Sequence, residues 1–263
     1  MEMKVLTFNL RVDLPQDGLN AWPYRIENAA KTIQKHKPLV FGTQEMLLGM
    51  IRDLDEYLPE YQWVGEGRRG GMEDEFCPVF YNARILDKVK NGQFWLSEQP
   101  KVPNSISWNS DFPRICTWGH FRYKHEPNQE FVVFNTHLDH VSQSAREKGI
   151  VLIWENLLHF INKNIPSILT GDLNSNPDNN VIQFLRGVSP IDGVTAHLQD
   201  TFSVTDADVG RTFHDFEGGI TGEPIDYIFC TSDFKVLKTE VDRNKYGEAY
   251  PSDHYPVSTT LEI

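Results

Sequence analysis

Polar residues able to hold a metal ion or move a proton recur at the ends of apolar runs in this chain. Asn9 closes the run that begins Val5-Leu6-Thr7-Phe8, Glu45 follows Leu39 to Gln44, and His137 closes Phe131 to Thr136. Asp172 and Asn174 follow Ile168-Leu169-Thr170-Gly171, Asp226 precedes Tyr227-Ile228-Phe229, and Asp253-His254 stand before the last apolar run. Layered α/β folds build their sites at strand ends and in the loops that follow. Singly, each of these residues reads as an ordinary turn or cap residue. Together, Asn9, Glu45, Asp172, Asn174 and Asp253 offer only hard oxygen donors, the set that suits Mg2+ or Mn2+. In-line attack of water on a phosphate ester needs such an ion, because negative charge builds on the phosphoryl and leaving oxygens and His or Asn donors must stabilise the rest. A carboxylate paired with a histidine fixes the imidazole tautomer and raises its basicity. Asp172 and His254 both qualify as the group that deprotonates the water.

Other chemistries lack their residues. His137-Leu138-Asp139-His140 presents two imidazoles, but no HExxH and no cysteine cluster completes a zinc set. The stretch Gly65 to Gly71 is glycine-rich without the Gly-Lys-Ser/Thr of a phosphate-cradling loop, and there is no GxSxG elbow. Cys77, Cys116 and Cys230 form no CxxC unit, so they read as buried small hydrophobes and not as a disulfide framework.

The elements that must position these residues follow from the pattern. Strands are expected at Val5–Leu10, Leu39–Gln44, Pro78–Tyr81, Gly92–Leu96, Ile115–Tyr123, Phe131–Thr136, Pro166–Gly171, Ile225–Cys230, Phe234–Val241 and Val257–Ile263. Helices are expected from Trp22 to His36, where Ile26, Ala29, Ala30 and Ile33 share a face, at Leu47–Leu58, at Ser144–Asn162 and at Pro177–Arg186. No repeat or Pro/Ser-rich linker interrupts the pattern, so one α/β domain over residues 1–263 with extensive antiparallel sheet is expected.

The 263 residues carry 25 Lys+Arg against 37 Asp+Glu, a net charge of −12, while 16 Phe, 9 Tyr and 6 Trp exclude a disordered chain. That sign excludes a basic protein coating nucleic acid, though not an enzyme acting on one. The basic residues are scattered, Arg68-Arg69 and Lys35 with Lys37 being the densest pairs, so no groove for a long nucleic acid is expected. Trp63, Trp95, Trp108 and Trp118 can stack a base or a sugar, or simply pack the core. The longest apolar region, around Ile150 to Ile161, is broken by Glu155, Asn156 and His159 and is no membrane span. The start, Met1 to Phe8, has no signal-peptide pattern, so a cytoplasmic protein is expected, as a monomer.

Six stretches in order, Thr7-Phe8-Asn9, Gln44-Glu45, Asn135-Thr136-His137-Leu138, Gly171-Asp172-Leu173-Asn174, Ile225-Asp226-Tyr227-Ile228 and Ser252-Asp253-His254, resemble the endonuclease/exonuclease/phosphatase superfamily. The run from Asn135 to His140 with Ser144-Ala145-Arg146 is most similar to the nocturnin-like, deadenylase-like branch and its bacterial relatives, without the leucine-rich repeats that accompany some deadenylases. The resemblance implies a four-layer α/β sandwich of the deoxyribonuclease type, two packed mixed sheets flanked by helices, and Mg2+-dependent phosphoester hydrolysis. It implies Glu45 as the principal metal ligand with Asn9 and Asp253 beside it, Asp172 positioning or activating the water, Asn174 as a phosphate donor, and His254 as catalytic histidine held by Asp226. It further implies His137 as a second active-site histidine, for which Glu75 is the expected carboxylate partner, and Arg114 and Tyr81 near the phosphate. His214, just ahead of the Asp226 motif, is expected to line the pocket. Where abasic-site endonucleases carry an Asp two positions after the first-strand Asn, this chain has Arg11, which weakens a two-metal reading. By resemblance an exonuclease-like nuclease ranks first. The charge leans instead to a short or small phosphoester on a sugar, inositol, nucleotide or lipid headgroup, and a non-catalytic module ranks last.

Overall fold

The computed structural model describes residues 1–204 and 209–263. The first sheet contains β1 (Glu2–Asn9), β2 (Val40–Gln44), β3 (Tyr61–Val64), β4 (Val79–Asn82), β11 (Lys235–Val241) and β12 (Val257–Glu262), in the order β11-β12-β1-β2-β4-β3. The second contains β5 (Leu86–Trp95), β6 (Ile115–Tyr123), β7 (Glu130–His137), β8 (Ser167–Asp172), β9 (Gln199–Asp200) and β10 (Asp226–Cys230), in the order β5-β6-β7-β8-β10-β9. Helices α1 (Trp22–His36) and α2 (Leu48–Tyr57) cover the first sheet, while α3 (Gln143–Ile161) and α4 (Asn180–Leu185) cover the second. This is the expected four-layer α/β sandwich.

Alternation along the strands explains the layering. Leu6 and Phe8 of β1 and Phe41 of β2 join Ala29, Ala30, Ile33, Ile51 and Leu54 of the helices in the outer cluster. Because successive side chains point to opposite faces, Val5, Thr7 and Asn9 face the second sheet. The parallel pairs β1–β2 and β7–β8 bring Asn9 beside Gln44 and His137 beside Asp172 at one end of the sandwich. Antiparallel β10 adds Asp226 opposite Asp172. The edge strands β3 and β9 and the first half of β5 were not expected. They are short or largely exposed, so no apolar alternation marks them.

A polar node joins the two sheets just below that end. Asn135 on β7 donates to the Thr43 and Pro78 carbonyls at 2.8 and 3.0 Å and accepts from Gln44 Nε2 at 2.7 Å and Thr170 Oγ1 at 3.1 Å. All hydrogen-bonding positions of its buried amide are thereby used. Gly42 lies opposite, where a Cβ would come within 2.4 Å of Asn135 Oδ1, so only glycine admits this contact.

A second tie is the buried Arg25 of α1. Its guanidinium donates to the carbonyls of Leu10, Arg11, Pro251 and Asn20, joining the loop after β1 to the segment before β12. A third lies outside the site: Asp242 accepts from Lys35 Nζ at 2.7 Å and lies 2.8 Å from His36 Nε2, fastening α1 to the end of β11. Burial would raise the Asp242 carboxyl, but the bonds from His36, Lys35 and Asn244 outweigh it and hold the group well below the usual carboxylate range. A carboxylate with a depressed folded-state pKa stabilises above its unfolded pKa and loses that contribution as pH falls toward the folded value. Asp242→Asn is therefore expected to destabilise by about 2 kcal/mol at pH 7, the gap to wild type narrowing in urea titrations from pH 4 down to pH 2.

Candidate active site

At the strand ends, His254 Nδ1 lies 2.9 Å from Asp226 Oδ2, and His254 Nε2 lies 3.8 Å from Asp172 Oδ2. Burial alone would keep the ring neutral. The carboxylates of Asp226, Asp172 and Asp253 outweigh burial and raise its pKa well above the usual histidine value, so the ring is charged at neutral pH. Burial, with Asp226 adding repulsion, pushes the Asp172 carboxyl up, against the opposing charge of His254. His137 Nε2 stands 3.5 Å from the same Asp172 oxygen. It is driven the other way, held neutral by burial and by Arg114, His254, Arg68 and His140.

Oxygen donors gather beside this group. Asn9 Nδ2 donates to Glu45 Oε1 at 2.9 Å and to Asp172 Oδ2 at 3.0 Å, and Val12 N–H donates to Glu45 Oε2 at 3.0 Å. Glu45, Arg11 and Asn174 all have left-handed backbones, with φ of 62°, 52° and 45°. Such conformations are uncommon outside glycine and concentrate at functional sites. Asp253 is buried and its carboxyl is raised by burial, with Glu45 adding to the rise.

Two sets of side chains are candidates for a divalent ion. Asp172, Asp226 and His254 place ligand atoms within 4.8 Å of one another. In that trio His254 Nδ1 and Asp226 already bond each other at 2.9 Å, so an ion held by all three would compete with the pair. Glu45 and Asp253 both face the cleft, and their crowding of negative charge is what a cation relieves. Asn9 Oδ1 accepts the Arg11 N–H at 3.0 Å. Asn9 thus aligns Glu45 and Asp172 through its Nδ2 bonds, and Glu45 and Asp253 are the two carboxylates of the expected ligand set that line the cleft.

The cleft above has a volume of about 600 Å3, and Glu45, Glu75, Arg114, His137, Asp172, Asn174, Asp253 and His254 all line it. Asn9 and Asp226 reach it through their bonds to Glu45, Asp172 and His254. Asn174 Nδ2 donates to the Leu138 carbonyl at 3.0 Å, which fixes the amide at the rim. Arg114 stands 3.6 Å from Asp139, a buried acid that also accepts from Ser110, Asp111, Val141 and Ser142 and so binds the loop before β6 to the loop after β7.

Three expectations are corrected. Glu75 does not pair with His137: its carboxylate takes Arg68 NH1 at 3.0 Å, because Arg68 N–H bonds the Glu75 carbonyl across a hairpin and sets the two side chains together. Burial pushes the Glu75 carboxyl up to about 7, Arg68 opposing. Tyr81 is remote from the cleft. It pairs with Val40 at the far end of β2, donates to Gln62 and packs on Phe121. His214 is buried behind the site, stacked 3.9 Å from Tyr255, and its neighbour Phe213 faces the cleft instead. None of Trp63, Trp95, Trp108 and Trp118 lines the cleft. Sequence reading missed Arg68, Phe112 and Phe213 as wall residues. For Arg68 the available signal was the glycine-rich turn, which lets the chain fold back and set Arg68 against Glu75.

A family model described as "Endonuclease/Exonuclease/phosphatase family" matches residues 6–254. A mannosyl-6-phosphatase of Bacteroides thetaiotaomicron superposes with a TM-score of 0.90 at 34% identity, covering 99% of this chain and 100% of that one. The human nocturnin catalytic domain superposes at 0.76 with 16% identity over 99% of this chain and 94% of that one, a likeness of fold. Protein angel of Drosophila melanogaster is 27% identical over 190 residues, 68% of this chain, and the chain spans half the length of that relative. Among the described residues no helix is long and apolar enough to cross a membrane.

Proposed function

The chain belongs to the endonuclease/exonuclease/phosphatase family, and from that premise we propose that it is a Mg2+- or Mn2+-dependent hydrolase of a small phosphorylated molecule, with sugar phosphates as the favoured class. The observation that carries this reading is the cleft itself. At about 600 Å3 it has the size of a small-molecule site, and the −12 net charge offers no track for a long polyanion. The likeness to a mannosyl phosphatase along the whole chain supports the same substrate class.

In the proposed reaction water attacks phosphorus, the ester P–O bond breaks, and phosphate and an alcohol are released without redox change. A divalent ion held by Glu45 and Asp253 would offset charge on the phosphoryl oxygens. Asp172, hydrogen-bonded by Asn9, positions the water and takes its proton. Asp172 is preferred to His254 as base because a ring already charged cannot accept one. His254 Nε2 and Asn174 offer donors to the charge that develops, and Asp226 holds the His254 ring in place.

The test is a panel of hexose phosphates, inositol phosphates, nucleotides, oligo(A) and single-stranded DNA, with Mg2+ and with EDTA. Sugar phosphates are expected to turn over with kcat/KM at least about 100-fold above that of the oligonucleotides, a difference of about 2.7 kcal/mol in transition-state binding, and EDTA is expected to abolish activity. Preference for an oligonucleotide, or turnover indifferent to EDTA, would overturn this reading.

A further inference from the structure

Beside the cleft, the buried Arg68, Arg114 and His137 border one small space; Arg68 Nε and Arg114 Nε face Asp74 and Asp139, while His137 Nδ1 has no hydrogen-bond partner. All three residues are at least nine-tenths buried, with 7%, 6% and 7% of their surface exposed. They border a cavity of about 10 Å3, the space of one oxygen-sized group, which is floored by Cys77 and Ile115. Arg68, Glu75, Arg114 and His137 line both this cavity and the cleft, so the two spaces adjoin.

The guanidinium groups are gripped from behind. Arg68 meets Asp74 at 3.1 Å and Glu75 at 3.0 Å. Arg114 meets Asp139 at 3.6 Å, and its NH2 lies 3.1 Å from His140 Nδ1. The Phe112 ring lies 4.5 Å from the Arg68 guanidinium and 5.8 Å from that of Arg114. Buried polar groups are ordinarily bonded, so an unpartnered His137 Nδ1 beside two guanidinium groups at one small cavity marks a place for an acceptor.

We propose that this cavity seats one terminal oxygen of a dianionic phosphate, and that Arg68 with Arg114 makes the enzyme selective for phosphomonoesters over phosphodiesters. The proposal rests on the phosphoester-hydrolase reading above. A monoester presents three terminal oxygens, and the site offers three separate receiving sides: Glu45 with Asp253 through an ion, Asn174 with His254, and the arginine pair. A diester carries a second substituent in place of one oxygen. On the arginine side that substituent meets a 10 Å3 cavity walled by Arg68, Glu75 and Arg114. The monoester's second charge, in contrast, meets two planar donors suited to phosphoryl oxygens.

The experiment compares 4-nitrophenyl phosphate with methyl 4-nitrophenyl phosphate, which share a leaving group, at saturating Mg2+ in wild type, Arg68→Met and Arg68→Lys. Wild type is expected to favour the monoester. Arg68→Met is expected to lower its kcat/KM at least about 100-fold and to weaken inhibition by inorganic phosphate comparably, with the diester changed less than about threefold. Arg68→Lys, which keeps the charge and the carbon stem, serves the same comparison if the methionine variant does not fold, and is expected to recover only part of the monoester rate. Equal losses on both esters, or phosphate inhibition untouched by either variant, overturn the proposal. Wild type that hydrolyses neither ester yet binds inorganic phosphate by calorimetry in an Arg68-dependent way would sink the hydrolase reading and leave the subsite standing.

Discussion

Asp226→Asn is expected to lower kcat about a thousandfold or more, with KM changed less than about threefold. The effect has one physical source. Asp226 Oδ2 sits 2.9 Å from His254 Nδ1 in a site both side chains share fully buried, and its charge is the largest attraction holding the ring protonated against burial. An asparagine keeps the shape but removes that charge, so the ring turns neutral and Nε2 becomes a weaker donor to the developing charge. In an established Asp–His pair elsewhere the same exchange costs about ten-thousandfold with geometry intact. The pH profile gives the sign. A histidine whose folded pKa is raised stays charged through neutral pH and loses its proton only as pH rises through that value. The alkaline limb of wild-type kcat should therefore lie above neutrality, and in the variant it should move toward acid. A full rate with an unmoved limb would reduce the pair to packing.

Glu45→Ala is expected to raise the Mg2+ concentration for half-maximal activity at least about 100-fold, since even indirect supports of a metal ligand cost 10- to 100-fold in affinity. Binding can be read without turnover. Mg2+ stabilises whichever state binds it, so millimolar Mg2+ should raise the wild-type melting temperature and leave that of the variant unchanged. Removing one acid relieves Asp253, whose carboxyl is raised partly by Glu45, but takes an acceptor from Asn9 Nδ2 and the Val12 N–H, so the Mg2+-induced shift and not the ion-free melting temperature is the readout. A variant that still melts higher in Mg2+ would move the ion to other ligands.

Residues at strand ends were legible, Asp226 on antiparallel β10 included. Asn9, Glu45, His137 and Asp172 each close or follow an apolar run, and parallel pairing carries such ends to one edge of the sandwich. Tyr81 defeats the same logic. A β-run looks alike in either direction, and β4 runs antiparallel to β2, so its last residues fall at the far end. His214 was a matter of parity: Phe213 bridges His254 and faces the cleft, which turns the adjacent side chain behind it. Glu75 was placed at the correct wall, but a partner seven residues away across a hairpin prevailed over one on another strand. Arg25 gave no signal at all, because four carbonyl acceptors from separate loops meet only in the folded chain.

The Asn135 node beneath the cleft has a consequence for how this architecture can diversify. It locks the two sheets against sliding through side-chain and backbone atoms of β2, β7 and β8 and of Pro78 just before β4. Glu45, His137 and Asp172 stand at or just beyond those strand ends, whereas Arg68, Phe112 and Phe213 ride on loops outside the lock. Changes at the rim positions of those loops that spare Arg68 and the Phe213–His254 bridge can thus rewrite what is recognised without disturbing how it is cut. A descendant of this chain could inherit the chemistry intact while its rim drifted to an unrelated substrate.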